Sequence, residues 1–231
     1  ASVYVQASEP GACGKVEQIS LPDLTVEKVE TLDEPVPHCK LTGRLGREIG
    51  LSVWLPVDWN GKFVMGGGGG FVGSIQNQAL SLGALQRGYA TAGTDTGHQA
   101  NGIDGSWALH NLERIVNYGH VAIHRVSEVA KYIADRHYDN WPDRSYFAGC
   151  SNGGRQAMAF SQRYPEDFNA IIAGAPAFDF GGVAAAFVNV TQHMYPDMDD
   201  LSSPLLSPDD RSQLSNAVLE QCDAKDGLKD G

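Results

Sequence analysis

The sequence predicts an α/β fold with a mostly parallel sheet covered on both faces, and three observations carry that prediction. Short apolar stretches of strand type recur as far as residue 176. Segments whose apolar residues repeat every three or four positions lie between them. Small-residue turns join the two kinds of segment, and such alternation implies parallel strands linked by helices.

Taken in order, "EIGLSVWL" at 48–55 alternates apolar and polar residues, placing Ile49, Leu51, Val53 and Leu55 on one face of a strand. "KFVM" at 62–65 reads as a short buried strand that runs into five glycines, Gly66 to Gly70. A helical stretch is expected at about 75–87, then a strand in "GYATAGTD" at 88–95. Between 119 and 138, Ile123, Val126, Ala130 and Ile133 mark a helix packed on one side. A strand at 145–150, a turn at Ser151, a helix at 153–163 and a strand in "AIIAGA" at 170–175 complete the core. After Pro176 periodicity weakens and Pro, Asp and Ser accumulate. We read 1–176 as the core and 177–231 as the opening of a lid or insertion.

Composition excludes some functions. A formal net charge of −11 over 231 residues argues against nucleic acid or an anionic membrane surface as partner. No apolar run reaches membrane-spanning length, and the first residues show no basic segment followed by an apolar one, as a secretion signal has. Four cysteines suit an oxidising compartment. Asn189-Val190-Thr191 is a glycosylation sequon, relevant only in a eukaryotic secretory route.

The glycine run permits three readings. Gly68, Gly70 and Gly73 fit G-x-G-x-x-G, with Asp95 ending a later strand, as in a dinucleotide-binding loop. The same loop suits an oxyanion hole, where glycine lets a backbone N–H approach developing charge. It also suits a plain tight turn. Gly149-Cys150-Ser151-Asn152-Gly153 favours the second reading, because it fits G-x-S-x-G between an apolar strand and an apolar-periodic helix. Small residues at 149, 153 and 154 leave room for a strained turn that exposes Ser151 as a nucleophile.

Other groupings are weaker. His120 and His124 lie one helical turn apart, yet the glutamate of H-E-x-x-H is missing. Asp95-Thr96-Gly97 resembles an aspartic-protease loop, but such sites use two aspartates. His98, Asp104, Trp107 and His110 crowd the loop after the strand at 88–95, where they line a pocket or solvate a loop. Asp223, Asp226 and Asp230 bring oxygen ligands to a glycine-permitted bend of the kind calcium takes, without EF-hand spacing.

"GCSNGGRQAMAFSQRYPEDFNAIIAGAPA", with "WNGKFVMGGGGGF", "TDTGH" and "CDAKDGLKDG", closely resembles the tannase/feruloyl esterase family of α/β-hydrolases, which also contains esterases of small terephthalate esters. The resemblance implies a secreted or periplasmic serine esterase acting on hydroxycinnamoyl, galloyl or related benzoyl esters. It makes Ser151 the nucleophile and gives the oxyanion hole to the N–H groups of Asn152 and Gly70. It adds Phe71 as a substrate contact. It also implies a structural calcium held by Asp223, Asp226, Asp230 and the Leu228 carbonyl, with a further backbone ligand past residue 231.

The chain departs from the family in length. Family members run to about twice 231 residues, and their triad aspartate and histidine follow the lid. Only His193 follows Ser151 here, with too little chain after it to build the strands of a triad. The base and its orienting acid are therefore expected from a second polypeptide or from sequence beyond 231. The family pairs the cysteine beside the nucleophile with one beside the catalytic histidine. That implies an absent partner for Cys150 and a downstream one for Cys222, leaving Cys13 and Cys39 as an internal pair. Cys150 bonded to Cys222 is the rival pairing. Two further classes stay open: a nicotinamide-dependent oxidoreductase, and a hydrolase-fold binding module without activity.

Overall fold

Two strands precede the first one that the apolar alternation marks. In the computed structural model, which describes residues 13–230, β1 (Leu24–Leu32), β2 (His38–Leu45) and β3 (Ile49–Pro56) form an antiparallel meander. The β2 pattern was legible, since Cys39, Leu41 and Leu45 bury at period two. In β1 the register shifts between Val26 and Lys28, and that irregularity breaks the alternation a reader would seek. A Cys13–Cys39 disulfide, Cα atoms 5.4 Å apart, ties the segment before β1 to β2.

The remaining strands are β4 (Lys62–Gly66), β5 (Ala90–Thr94), β6 (Arg144–Cys150) and β7 (Ala170–Gly174). The seven run in the order β1-β2-β3-β5-β4-β6-β7. From β4 onward the pairings are parallel, with Val64 opposite Thr91, Met65 opposite Phe147 and Gly149 opposite Ala173. The sheet as a whole is mixed, because β3 meets β5 antiparallel and short turns join β1 to β3. β3 is also more buried than its alternation suggests: Gly50 and Ser52 lie inside as fully as Leu51 and Val53. It is an interior strand between β2 and β5, and Ser52 Oγ donates to Leu41 O at 2.9 Å.

Helix α3 (Ala122–Tyr138) lays Ile123, Val126, Ala130 and Ile133 on β3 and β5, as its period predicts. Helix α4 (Asn152–Arg163) packs on β6 and β7 through Ala157 and Phe160. Phe160 meets Phe147 and Phe168 at ring-centre distances of 4.8 and 4.7 Å. The expected helix at 75–87 shrinks to α1 (Gln78–Ser81) and one tight turn, Leu85–Arg87, interrupted at Gly83. A short α2 (Leu112–Val116) continues through a wide turn, Asn117–Val121, into α3.

The chain divides into two units, Ala1–Phe178 and Asp179–Gly231. The second unit holds α5 (Phe180–Met194) and α6 (Pro208–Cys222) where the sequence shows weak periodicity. Helix α5 is apolar nearly all round and α6 polar nearly all round, so neither declares a face. The start of α6 was nonetheless readable: Ser207 and Asp210 form a reciprocal capping box with Pro208 at the first turn. Among the described residues no helix is long and apolar enough to cross a membrane.

Candidate active site at the β6–α4 turn

Ser151 occupies φ 59°, ψ −121°, a backbone region that side-chain-bearing residues avoid at a cost of about 1–3 kcal/mol. The surroundings hold it there. Its N–H donates to Gly174 O at 3.1 Å, and its carbonyl accepts from Arg155 and Ala177 at 3.0 and 3.2 Å. Gln78 grips the preceding residue as a neighbouring strand would. Its Oε1 accepts the Cys150 N–H at 2.7 Å and its Nε2 donates to the Cys150 carbonyl at 3.3 Å. Gly149 makes the turn possible, since a Cβ there would lie 2.3 Å from Gly153 O. The result is an exposed Ser151 at the N-terminus of α4, where N–H groups lack intrahelical partners.

The glycine loop follows β4 and lies against this turn. Gly67 N–H donates to Ala148 O at 2.9 Å, Gly68 N–H to Gln156 Oε1 at 3.1 Å, and Gly69 N–H to Gln76 Oε1 at 2.8 Å. Phe71 and Val72 N–H groups donate to Gly102 O at 2.7 Å and Gly69 O at 3.0 Å. Among the described residues the Gly70 N–H has no such acceptor. Gly70 itself takes φ 55°, and a Cβ on it would lie 2.4 Å from Gly102 O, so only glycine fits. Because the other N–H groups bond inward, the loop offers no row of donors to a pyrophosphate. Asp95, 3% exposed, is likewise engaged inside. These two facts disfavour the dinucleotide reading.

Asn152, 1% exposed, joins the two loops. Its Nδ2 donates to Gly68 O at 3.0 Å, while its Oδ1 accepts from Tyr118 OH at 2.8 Å and Arg155 Nε at 2.7 Å. Tyr118 OH also reaches Gly70 O at 3.0 Å. The Arg155 guanidinium donates to the carbonyls of Gly119 and Tyr118, both at 2.9 Å, and stacks over the Tyr118 ring at 4.5 Å. Sequence reasoning missed Gln78, Tyr118 and Arg155, although the arginine lies inside the quoted resemblance block.

No histidine among the described residues hydrogen-bonds Ser151. His98 is buried, stacked on Trp107 at 3.8 Å, and its Nε2 donates to Phe71 O at 2.9 Å. Burial pushes its pKa below the usual imidazole value. His98 and Trp107 thus pack under the loop, whereas Asp104 caps Ser106 in solvent and His110 is exposed. Phe71, half-buried beside Gly70, turns its ring toward Tyr118 at 6.4 Å. His120 bonds Tyr164 OH and His124 bonds Asp167, each at 2.7 Å, as an ordinary packed helix would have it. Ser127 and His124 both use Asp167 Oδ2, but Ser127 Oγ bonds the His124 carbonyl at 2.8 Å and not its ring, so that trio is structural.

Burial raises the Asp95 pKa from 3.8 to about 6, although its Oδ1 accepts the Gly97 and Gly50 N–H groups at 2.8 and 2.9 Å. A folded state that keeps its proton longer than the unfolded chain loses stability as pH rises from about 4 to about 6. Asp95→Asn, whose amide oxygen can keep both bonds, is therefore expected to be more stable near pH 7 by about 3 kcal/mol. The difference should vanish near pH 4. Urea unfolding at the two pH values checks it, and equal stabilities at pH 7 would refute the assignment.

In the second unit, Asp223–Asp226 forms a tight turn ended by Gly227 at φ 97°, and Asp230 N–H donates to Asp223 Oδ1 at 3.1 Å. The loop thus folds back to bring two of the expected calcium ligands together, with Leu228 between them. The Asp226 side chain lies outside the described residues. Among the described residues no group of three or more His, Cys, Asp or Glu is placed to hold a metal. Cys150 and Cys222 are both exposed and unbridged among the described residues.

Comparison with known proteins bears on the family of the chain. The pattern defining the tannase and feruloyl esterase family matches residues 34–231. Mono(2-hydroxyethyl) terephthalate hydrolase of Piscinibacter sakaiensis is 34% identical over 84% of this chain and 37% of its own length. A probable feruloyl esterase B-1 of Aspergillus flavus is 31% identical over 100% of this chain and 48% of its own. The crystal structure of feruloyl esterase B from Aspergillus oryzae superposes with a TM-score of 0.81 at 26% identity, over 95% of this chain and 47% of that one. The chain spans less than half the length of these relatives. With strand, strained serine turn, helix and glycine loop all in place, the chain belongs to the tannase and feruloyl esterase family.

Proposed function

We propose that this chain carries the nucleophile and oxyanion hole of a carboxylic ester hydrolase acting on esters of aromatic acids. The carrying observation is Ser151, exposed at a positive φ on a strand-to-helix turn, beside the Asn152 N–H in the first turn of α4 and a Gly70 N–H that has no acceptor among the described residues. Ser151 Oγ attacks the ester carbonyl while a histidine outside residues 1–231 takes its proton. The Gly70 and Asn152 N–H groups hold the developing oxyanion, each worth on the order of 3 kcal/mol of barrier. The carbon–oxygen bond to the alcohol breaks, the base returns its proton to that alcohol, and water releases the acid by the same route.

The substrate class rests on the named relatives, a terephthalate monoester hydrolase and feruloyl esterases. Phe71 supplies an aromatic face next to Gly70 for such an acid. The Cys13–Cys39 bridge fits a secreted or periplasmic protein. The acidic loop of the second unit has the all-oxygen donor chemistry of a calcium site, held by Asp223, Asp226, Asp230 and the Leu228 carbonyl, with no part in catalysis. Chelation is expected to lower the melting temperature of the complete protein and added calcium to restore it. Unchanged melting would remove calcium from the proposal.

A fluorophosphonate probe followed by peptide mapping tests the central reading, with label expected on Ser151 of the complete protein. Label elsewhere, or tight binding of a nicotinamide cofactor, would overturn it. A labelled-free protein that still binds aromatic esters would be the inactive binding module.

A further inference from the structure

We propose that Tyr118 and Arg155 are positioning residues that fix the Gly70 peptide groups, through the Asn152 side chain that braces them, before any ester binds. The inference rests on the esterase reading above and assigns that site its supporting residues.

The peptide between Gly69 and Gly70 is the one whose orientation matters. In a trans peptide the C=O and N–H point in opposite directions, so fixing one aims the other. Gly69 O accepts the Val72 N–H at 3.0 Å, which directs the Gly70 N–H away from the hydrogen bond that closes residues 69–72. Rotating that peptide would drag both neighbours, and both are held at each end. The peptide before it has Gly68 O on Asn152 Nδ2 and Gly69 N–H on Gln76 Oε1. The peptide after it has Gly70 O on Tyr118 OH and Phe71 N–H on Gly102 O.

Arg155 completes the arrangement through proton bookkeeping. The Tyr118 hydroxyl has a single proton but faces two acceptors, Gly70 O and Asn152 Oδ1. Arg155 Nε also donates to Asn152 Oδ1 at 2.7 Å, so that oxygen keeps a full donor while the one tyrosine proton is shared between it and Gly70 O. The same arginine bond fixes the Asn152 amide with Oδ1 toward Tyr118 and Nδ2 toward Gly68. Its other two bonds anchor Tyr118 and Gly119 by their carbonyls. Residues 34 and 84 positions apart in sequence thereby lock the elbow helix to the glycine loop.

Tyr118→Phe in the complete protein removes the hydroxyl and keeps the ring under Arg155. Loss of a whole oxyanion donor costs 10²–10³ in kcat, so loosening one is expected to lower kcat about tenfold with KM nearly unchanged. Affinity for an aryl boronic acid, which mimics the tetrahedral intermediate, should fall by a similar factor while affinity for the product acid does not. Arg155→Lys, which keeps the charge but cannot reach all three oxygens, should show the same pattern. A merely structural role would shift melting and leave kcat and boronate affinity alone, and that result in both variants overturns the proposal. Ser151→Ala run in parallel separates the two readings. If it retains hydrolysis, the assignment of Ser151 as nucleophile fails, and with it the site these residues would support; if it is inactive while Tyr118→Phe is unimpaired, only the positioning role fails.

Discussion

Ser151→Ala is expected to lower kcat on a chromogenic aromatic ester by roughly a million-fold, the scale seen when a serine nucleophile is removed from a triad enzyme. Stability should hardly change, because alanine carries the same strain at φ 59° and Ser151 Oγ makes no hydrogen bond among the described residues. Ser151→Gly sharpens the test. It should be equally inactive yet more stable, by about 1 kcal/mol, because glycine takes this conformation without the penalty. Kinetics with calorimetry on the three proteins separates chemistry from strain. If Ser151→Ala keeps substantial activity, the nucleophile lies elsewhere.

The second large effect falls on a residue that touches no substrate. In Gly149→Ala the new methyl would meet Gly153 O at 2.3 Å, Gly153 C at 2.4 Å and Gly153 Cα at 2.8 Å. All three are backbone atoms at the start of α4, so no side chain can swing aside. The helix must move off the strand, and that loosens the Ser151 and Asn152 N–H geometry together. Such overpacking costs about 1–3 kcal/mol. Misplacing catalytic groups by about 1 Å costs on the order of a hundredfold in rate. We expect both losses in Gly149→Ala, read by urea unfolding and by kcat. Wild-type activity in that variant would show that the turn tolerates bulk and that its tightness has another origin.

These two residues were legible in the sequence because their constraints are local. A serine flanked by glycines at the required spacing, with an apolar strand before and a periodic helix after, specifies its turn within about fifteen residues. The α3 stripe and the β4 to β7 alternation were legible for the same reason. The supports of the site were not. Gln78 reaches Cys150 across 72 positions, and Gln156 reaches Gly68 across 88. A polar side chain bonded to a distant backbone leaves no period to read. The choice of Gly70 among five identical glycines is likewise a matter of register, which a run of identical residues leaves open. β1 escaped because its register shift erased the alternation, and α5 because an all-apolar helix has no stripe.

The three bonds on the Asn152 side chain have a consequence for how the site ages. Asn152 is followed by Gly153, the pairing most prone to cyclise, when the glycine nitrogen attacks the asparagine carbonyl and ammonia leaves. Attack requires the amide to swing toward the next peptide nitrogen. Here Gly68, Tyr118 and Arg155 hold it away, inside a shell that water barely reaches. Chemical durability at this position is therefore a property of the fold and not of the dipeptide. Wherever the tyrosine or arginine is lost, stored protein should accumulate an aspartate or isoaspartate at 152, slowly erasing the proposed oxyanion hole.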